Sequence, residues 1–263
     1  FAKKALRGET FFAHVHGTDF HLIQKYGFIK RIARRVLSNV DGVICVSNEQ
    51  AEVLESMTEA PVFVQAMGID LEQFHAKERT AFSKNAIFVG RITEAKGVQQ
   101  VIHAAKITPD WNFKIIGDGP DLDQMKSIGK DVENLEFVGA VENNALPAYY
   151  RKASAFILPS IREGMPVSIL EALACGVPTI TTDVGQITEV ISDKENGFII
   201  SGDASSIQTS LHQLEHSDVW ANMSKRASES VTNSGLDAAT DNILSFMQEI
   251  YQSKSTIRGK SKH

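Results

Sequence analysis

The sequence predicts an α/β fold on parallel sheets, with one complete doubly wound domain preceded by the closing βα units of another. Three observations predict it. Apolar runs of four or five residues alternate with stretches of helical period, which is the rhythm of βαβ units. A polar, aperiodic stretch at 71–85 interrupts that rhythm once and reads as a linker. After Ile200 the pattern is helical only. These divide the chain into a partial N-terminal domain (1–70), the linker (71–85), a complete domain (86–234) and a C-terminal helix with a basic tail (235–263). The helix is expected to pack back on the first domain, and the tail from Ser253 to fray.

In the first segment, Phe11–Val15, Gly42–Val46 and Val62–Gln65 read as strands. Ile29–Leu37 reads as a basic amphipathic helix and Glu49–Met57 as a second helix. In the complete domain the expected strands are Ala86–Val89, Phe113–Ile116, Leu135–Val138, Ala155–Leu158, Pro178–Thr181 and Gly197–Ile200. Helices are expected at Gly97–Lys106, Pro120–Ile128, Ala145–Lys152, Pro166–Ala174 and Ile187–Ile191. Three more follow at Ala204–Glu215, Asp218–Ser230 and Leu236–Tyr251. Six strands with helices between them complete one doubly wound sheet.

The chain has 263 residues, 43% hydrophobic and 22% charged, with a net charge of −5. That is a globular profile, and its weak acidity argues against nucleic acid as a partner. No run has the length of a transmembrane helix. Cys45 and Cys175 lie in apolar segments without metal-ligand spacing, as buried thiols of a cytoplasmic protein would. The chain opens at Phe1 without methionine or signal pattern, as a piece of something longer would.

The chemistry concentrates at Glu163-Gly164-Met165-Pro166-Val167-Ser168-Ile169-Leu170-Glu171. A buried strand ends just before it. Pro166 suits the first turn of a helix that Gly176 ends. Glu163 and the amides of Gly164, Met165, Val167 and Ser168 then gather at a helix N-terminus, an anion site. Glu171, eight positions after Glu163, is expected on the same side. An anion site flanked by two carboxylates suits a ligand that is part phosphate and part sugar. Arg91 and Lys96 follow the first strand of the complete domain, where doubly wound sheets bind ligands, and suit phosphate. Gly117-Asp118-Gly119-Pro120 makes a tight turn after the next strand, with close backbone approach. Val141 follows Phe137-Val138-Gly139, a strand end whose backbone can line a base-binding slot. His14 and His16 fall on one face of the first strand, with no further ligand set to make a metal site. His16, before Gly17, is the better placed to reach a cleft. The helix around Phe28–Leu37 carries apolar and basic faces that suit anionic lipid headgroups as well as ordinary packing. Neither a nucleophile elbow nor a P-loop occurs.

In this order the motifs resemble the retaining glycosyltransferases of family 4, with the GT-B fold. Gly90-Arg91 with Lys96-Gly97, Gly117-Asp118-Gly119-Pro120, Leu158-Pro159-Ser160 and the Glu163-x7-Glu171 signature carry the resemblance. Val184-Gly185 through Glu189, Asn196-Gly197, His16-Gly17-Thr18-Asp19 and Met67-Gly68-Ile69-Asp70 extend it. It implies two Rossmann-like domains, the first present only in its C-terminal part. It implies that Arg91 and Lys96 hold the donor diphosphate and that Glu171 grips the ribose. Glu163 with the amides of Gly164–Val167 would bind the donor hexose, and Ser168 would assist at phosphate. The Val141 backbone would lie near the base, and His16 would reach the sugar from the opposite domain. The implied activity moves a hexose from a UDP- or GDP-sugar to a glycan or lipid-linked acceptor, with retention and without a metal or other cofactor. The implied location is the cytoplasm, with peripheral contact at the inner membrane face. Gln186 stands where a second glycine is usual, Ala76 where a proline often follows the hinge, and the family's N-domain glycine-rich loop is absent. Two other readings remain: a nucleotide-sugar binding module without transfer, and another GT-B enzyme such as a sugar phosphorylase or nucleotide-sugar epimerase.

Overall fold

A computed structural model describes residues 9–77 and 81–260. The chain forms two compact units: Phe1–Gly68 with Leu236–His263, and Ile69–Gly235.

The first unit is built on three parallel strands, β1 (Phe12–Val15), β2 (Gly42–Cys45) and β3 (Val62–Val64), in the order β1-β2-β3. Strand β2 is central and buried throughout, as a parallel strand covered on both faces must be. Helices α1 (Gly17–Lys25), α2 (Gly27–Leu37) and α3 (Asn48–Glu55) contribute Phe20, Ile23, Leu37, Ala51 and Leu54 to one core with Val15, Val43 and Cys45. Ser47 caps α3 by accepting from the Gln50 N–H at 3.0 Å. Helix α10 (Leu236–Lys260) joins this unit through Phe246, which stacks on Phe63 at 4.9 Å and meets Phe12 edge-on at 6.0 Å. Lys254 of α10 pairs with Asp41 just before β2.

The second unit has six parallel strands: β4 (Asn85–Val89), β5 (Asn112–Ile116), β6 (Leu135–Gly139), β7 (Ala155–Leu158), β8 (Thr179–Thr182) and β9 (Gly197–Ile200). Their order, β6-β5-β4-β7-β8-β9, is doubly wound and reverses direction between β4 and β7. Helices α4 (Val98–Ile107), α5 (Leu122–Gly129), α6 (Leu146–Lys152), α7 (Val167–Ala174), α8 (Ala204–Leu214) and α9 (Ser217–Ser230) complete the unit. Phe88, Phe113, Phe156, Ile115, Ile157 and Leu158 are fully buried in its core. The unit's two ends meet where Ile69 bridges Gly235.

Residues 17–25, to which the sequence pattern assigns no element, form α1, where the Asp19 carboxylate accepts the His16 N–H at 3.3 Å and holds the first turn. Three expectations need correction. The stretch 71–85 is not a free linker: Phe74 is buried, edge-on to Tyr150 at 6.0 Å. Residues 78–80 of it lie outside the described residues. Only a 3₁₀ turn, Ile187–Glu189, stands where a helix to Ile191 was expected. The tail continues α10 as far as Lys260, carried by backbone hydrogen bonds that composition does not reveal, and 261–263 lie outside the described residues. Cys45 and Cys175 are both buried.

Candidate active site in the second unit

The sheet's direction reversal opens a crevice at the carboxyl ends of β4 and β7, where doubly wound folds bind ligands. Cross-links between loops build its floor. The Gly90 N–H donates to the Ile116 carbonyl at 3.0 Å, the Gly117 N–H to Gly139 at 2.8 Å and the Ile92 N–H to Asp118 at 2.9 Å. Gly117 has φ of 140°, and a Cβ there would lie 1.9 Å from the Gly90 carbonyl oxygen. Only glycine lets the turns after β4 and β5 approach so closely.

A 3₁₀ turn, Glu94–Lys96, follows β4, and the Ala95 carbonyl accepts the Ile161 N–H at 2.8 Å. This bond brings the loops after β4 and β7 together. Lys96 Nζ then reaches both carboxylate oxygens of Glu163, at 2.6 and 2.7 Å. Ser160 Oγ donates to Glu163 Oε1 at 2.7 Å, and Thr182 Oγ1 donates to the Ser160 carbonyl at 2.5 Å. The Glu163 side chain is 7% exposed and that of Lys96 25%. Below them, the Gln186 N–H donates to the Gly164 carbonyl at 3.0 Å. Gly185, at φ of 62°, would place a Cβ 2.4 Å from that same oxygen, so the turn after β8 supports the Glu163 loop from beneath.

Helix α7 starts at Val167, with Pro166 as its N-cap rather than in its first turn. Glu163 lies in the loop before the helix, and helical alignment with Glu171 does not place it. Ser160 and Lys96 do. The amides of Gly164, Met165, Val167 and Ser168 donate to no acceptor among the described residues. They remain available at the helix N-terminus, where the backbone dipole favours an anion. Val167 and Ser168 are half-buried.

Glu171, in the second turn of α7, is buried. Tyr150, fully buried on α6, donates its hydroxyl to Glu171 Oε2 at 2.8 Å. Oε1 makes no hydrogen bond among the described residues. Burial raises the Glu171 pKa, and the Tyr150 hydroxyl partly opposes that. Burial, then the nearby carboxylate, holds the Tyr150 phenol well above its usual range.

Of the other expected site residues, Arg91 is exposed just beyond β4, with no ion pair among the described residues. Val141 is half-buried in the loop after β6. His16 belongs to the first unit, where its exposed ring lies 4.2 Å from that of His14. Sequence reading missed Ser160 and Tyr150. Ser160 was within reach, three residues before Glu163 in one loop. Tyr150 is 21 positions before Glu171 on another helix, and no spacing rule connects them.

Parallel strands in both units, with a crevice at the second sheet's switch point, define a GT-B-type α/β protein. The chain belongs to the glycosyl transferases group 1 family, whose model matches residues 72–233. The putative teichuronic acid biosynthesis glycosyltransferase TuaC of Bacillus subtilis is 28% identical over 220 residues, covering 78% of this chain and 55% of that protein. The Escherichia coli UDP-Gal:alpha-D-GlcNAc-diphosphoundecaprenol alpha-1,3-galactosyltransferase is 28% identical, over 83% of this chain and 63% of that enzyme. The chain thus spans about half the length of the curated relatives it matches first. Sucrose-phosphate synthase from Thermosynechococcus elongatus shares the fold at a TM-score of 0.81 and 19% identity, over 96% of this chain and 70% of that one. Anabaena HepE, solved with UDP and glucose, matches at 0.78 and 17%, over 94% and 73%.

Proposed function

We propose that this chain is the donor-binding part of a retaining hexosyltransferase that moves a hexose from a UDP- or GDP-sugar to a glycan or lipid-linked acceptor at the inner face of a membrane. One observation carries the reading: the Lys96–Glu163 pair stands beside four unpaired amides at the start of α7, with the buried Glu171 about one turn further on. A nucleotide sugar offers matching groups. Its diphosphate is an anion for Lys96, Arg91 and the helix amides, with Ser168 assisting. Its ribose hydroxyls suit Glu171 Oε1, its hexose hydroxyls suit Glu163 and the Gly164–Met165 backbone, and its base suits the backbone at Gly117 and Val141. UDP bound to HepE and the UDP-sugar named for the galactosyltransferase support this donor class.

In the proposed step, the bond between the sugar's anomeric carbon and the diphosphate oxygen breaks. The acceptor hydroxyl attacks from the same face, and its proton passes to the departing diphosphate. Fixed cations and oriented amides stabilise the charge that develops there. Because the chain's own groups supply that charge, chelating divalent cations should leave transfer unchanged. Titration calorimetry with UDP and GDP, beside a labelled-sugar transfer assay, tests the whole reading. Binding to neither nucleotide sinks it. Nucleotide binding without transfer makes this chain a donor-binding module. Sugar release only when phosphate is supplied makes it a phosphorylase.

A further inference from the structure

The turn after β8 buries a glutamine, Gln186, that is 6% exposed. Its Nε2 donates to the carboxylate of the exposed Glu189 at 3.4 Å. That bond fixes which way round the amide sits, because a carboxylate only accepts. Oε1 is the other branch of the amide, buried and without a hydrogen-bond partner among the described residues. An orphaned buried carbonyl loses its hydration and gains no bond in return, so a methionine of similar shape would serve the fold better. The other such atom among the described residues, Thr108 Oγ1, lies just past the C-terminus of α4, away from the crevice.

The position of Gln186 points to its use. The end of β8 grips the Ser160–Gly164 loop at two points. Thr182 Oγ1 holds the Ser160 carbonyl, and the Gln186 N–H holds the Gly164 carbonyl at 3.0 Å. Glu163 hangs between the two. Its own carbonyl also faces this turn, 2.5 Å from where a Cβ on Gly185 would lie. In a trans peptide the carbonyl and the N–H of one plane point opposite ways. The N–H groups of Gly164 and Met165 belong to those two planes, so they face away from the turn, and both are unpaired among the described residues. The turn after β8 therefore aims two donors of the proposed hexose site, and Gln186 bonds directly to one of the two planes.

We propose that Gln186 is a positioning residue for hexose recognition. Its side chain, tied to Glu189 and buried, fixes residue 186 so that its N–H holds the Gly164 carbonyl and turns the Met165 N–H toward the donor sugar. The unpaired Oε1 is the loss of stability that this placement entails. The inference rests on the donor reading of the site, since it needs a hexose beside Glu163. The nucleotide is assigned to other groups, Lys96, Arg91 and Glu171, so Gln186 acts on the sugar's share of the affinity alone.

The test is titration calorimetry of the 263-residue chain, and of its Gln186→Met and Glu189→Ala variants, with UDP, UDP-glucose, GDP and GDP-mannose, beside thermal melts. Both variants should lower the ratio of nucleotide-sugar to bare-nucleotide affinity about three- to tenfold, as the loss of one hydrogen bond does. Affinity for the bare nucleotide should stay at the parent's value. Gln186→Met should also melt above the parent, because the orphaned oxygen is gone. A merely structural role would lower the Tm and both affinities together. An unchanged ratio in either variant, or a lower Tm for Gln186→Met, overturns the inference while nucleotide binding by the parent leaves the donor reading standing. Binding of neither UDP nor GDP by the parent sinks the donor reading and the inference with it.

Discussion

Lys96 touches both oxygens of a carboxylate whose other hydrogen-bond partner among the described residues is Ser160. Replacing it with alanine should cost about 1–2 kcal/mol of stability, because part of the pair is screened by water. If Lys96 faces the leaving group as proposed, its loss should cost about 10²–10³ in turnover. A sugar-transfer assay beside chemical denaturation separates the two, and an unchanged rate removes Lys96 from the proposed phosphate site. Glu171 divides stability from binding more sharply. Its pKa is raised by burial, so the folded chain keeps that proton to higher pH than the unfolded chain. Ionisation therefore costs stability as pH rises from about 4.3, the unfolded value, through the folded one. Glu171→Gln should raise the Tm at pH 7, with the gain closing below about pH 4, where both states are protonated. Glu171→Ala should weaken nucleotide affinity by about 1–3 kcal/mol. Tyr150→Phe tests what holds the carboxylate: it should cost about 1 kcal/mol of stability and weaken UDP binding measurably by calorimetry.

At the element scale, the site depends on turns that lock to one another. The turns after β4 and β5 meet at Gly117, where a methyl group would collide with the Gly90 carbonyl. Gly117→Ala should destabilise by about 2–4 kcal/mol, adding steric displacement to backbone strain. It should also move Arg91, on the next residue, so UDP affinity should fall with the Tm. A wild-type melting curve would show that the turn relaxes cheaply. Helix α7 teaches a related point. Its N-terminus was legible from Pro166, and Glu163 lies in the loop before it, beyond the reach of helical periodicity. The carboxylate is then placed by three strand ends rather than by helix periodicity.

At the scale of the whole molecule, two units share one chain, and the site residues other than His16 fall in Ile69–Gly235. Ligand binding should therefore stabilise that unit selectively. UDP at about 100 times its Kd should add about 2.7 kcal/mol to the second unit's unfolding. Scanning calorimetry should show the transition of that unit moving up while the other stays. A common shift of all the heat absorbed would show that the units unfold together.

The sequence determined the strand–helix rhythm, the break between the two series and the six strands of the second unit, and it named most residues of the candidate site. Parallel strands buried on both faces write themselves as apolar runs, and phosphate chemistry needs glycine, lysine and arginine at strand ends. Helix α1 was hidden because its first turn is held by the His16 N–H donating to the Asp19 carboxylate and is not marked by an apolar period. Tertiary structure alone decided that Phe74 belongs to the second unit, that Lys96 closes on Glu163 across 67 residues, and that Tyr150 holds Glu171. Each is a contact between elements distant in sequence, fixed by how strands order in a sheet, and no local pattern records that order.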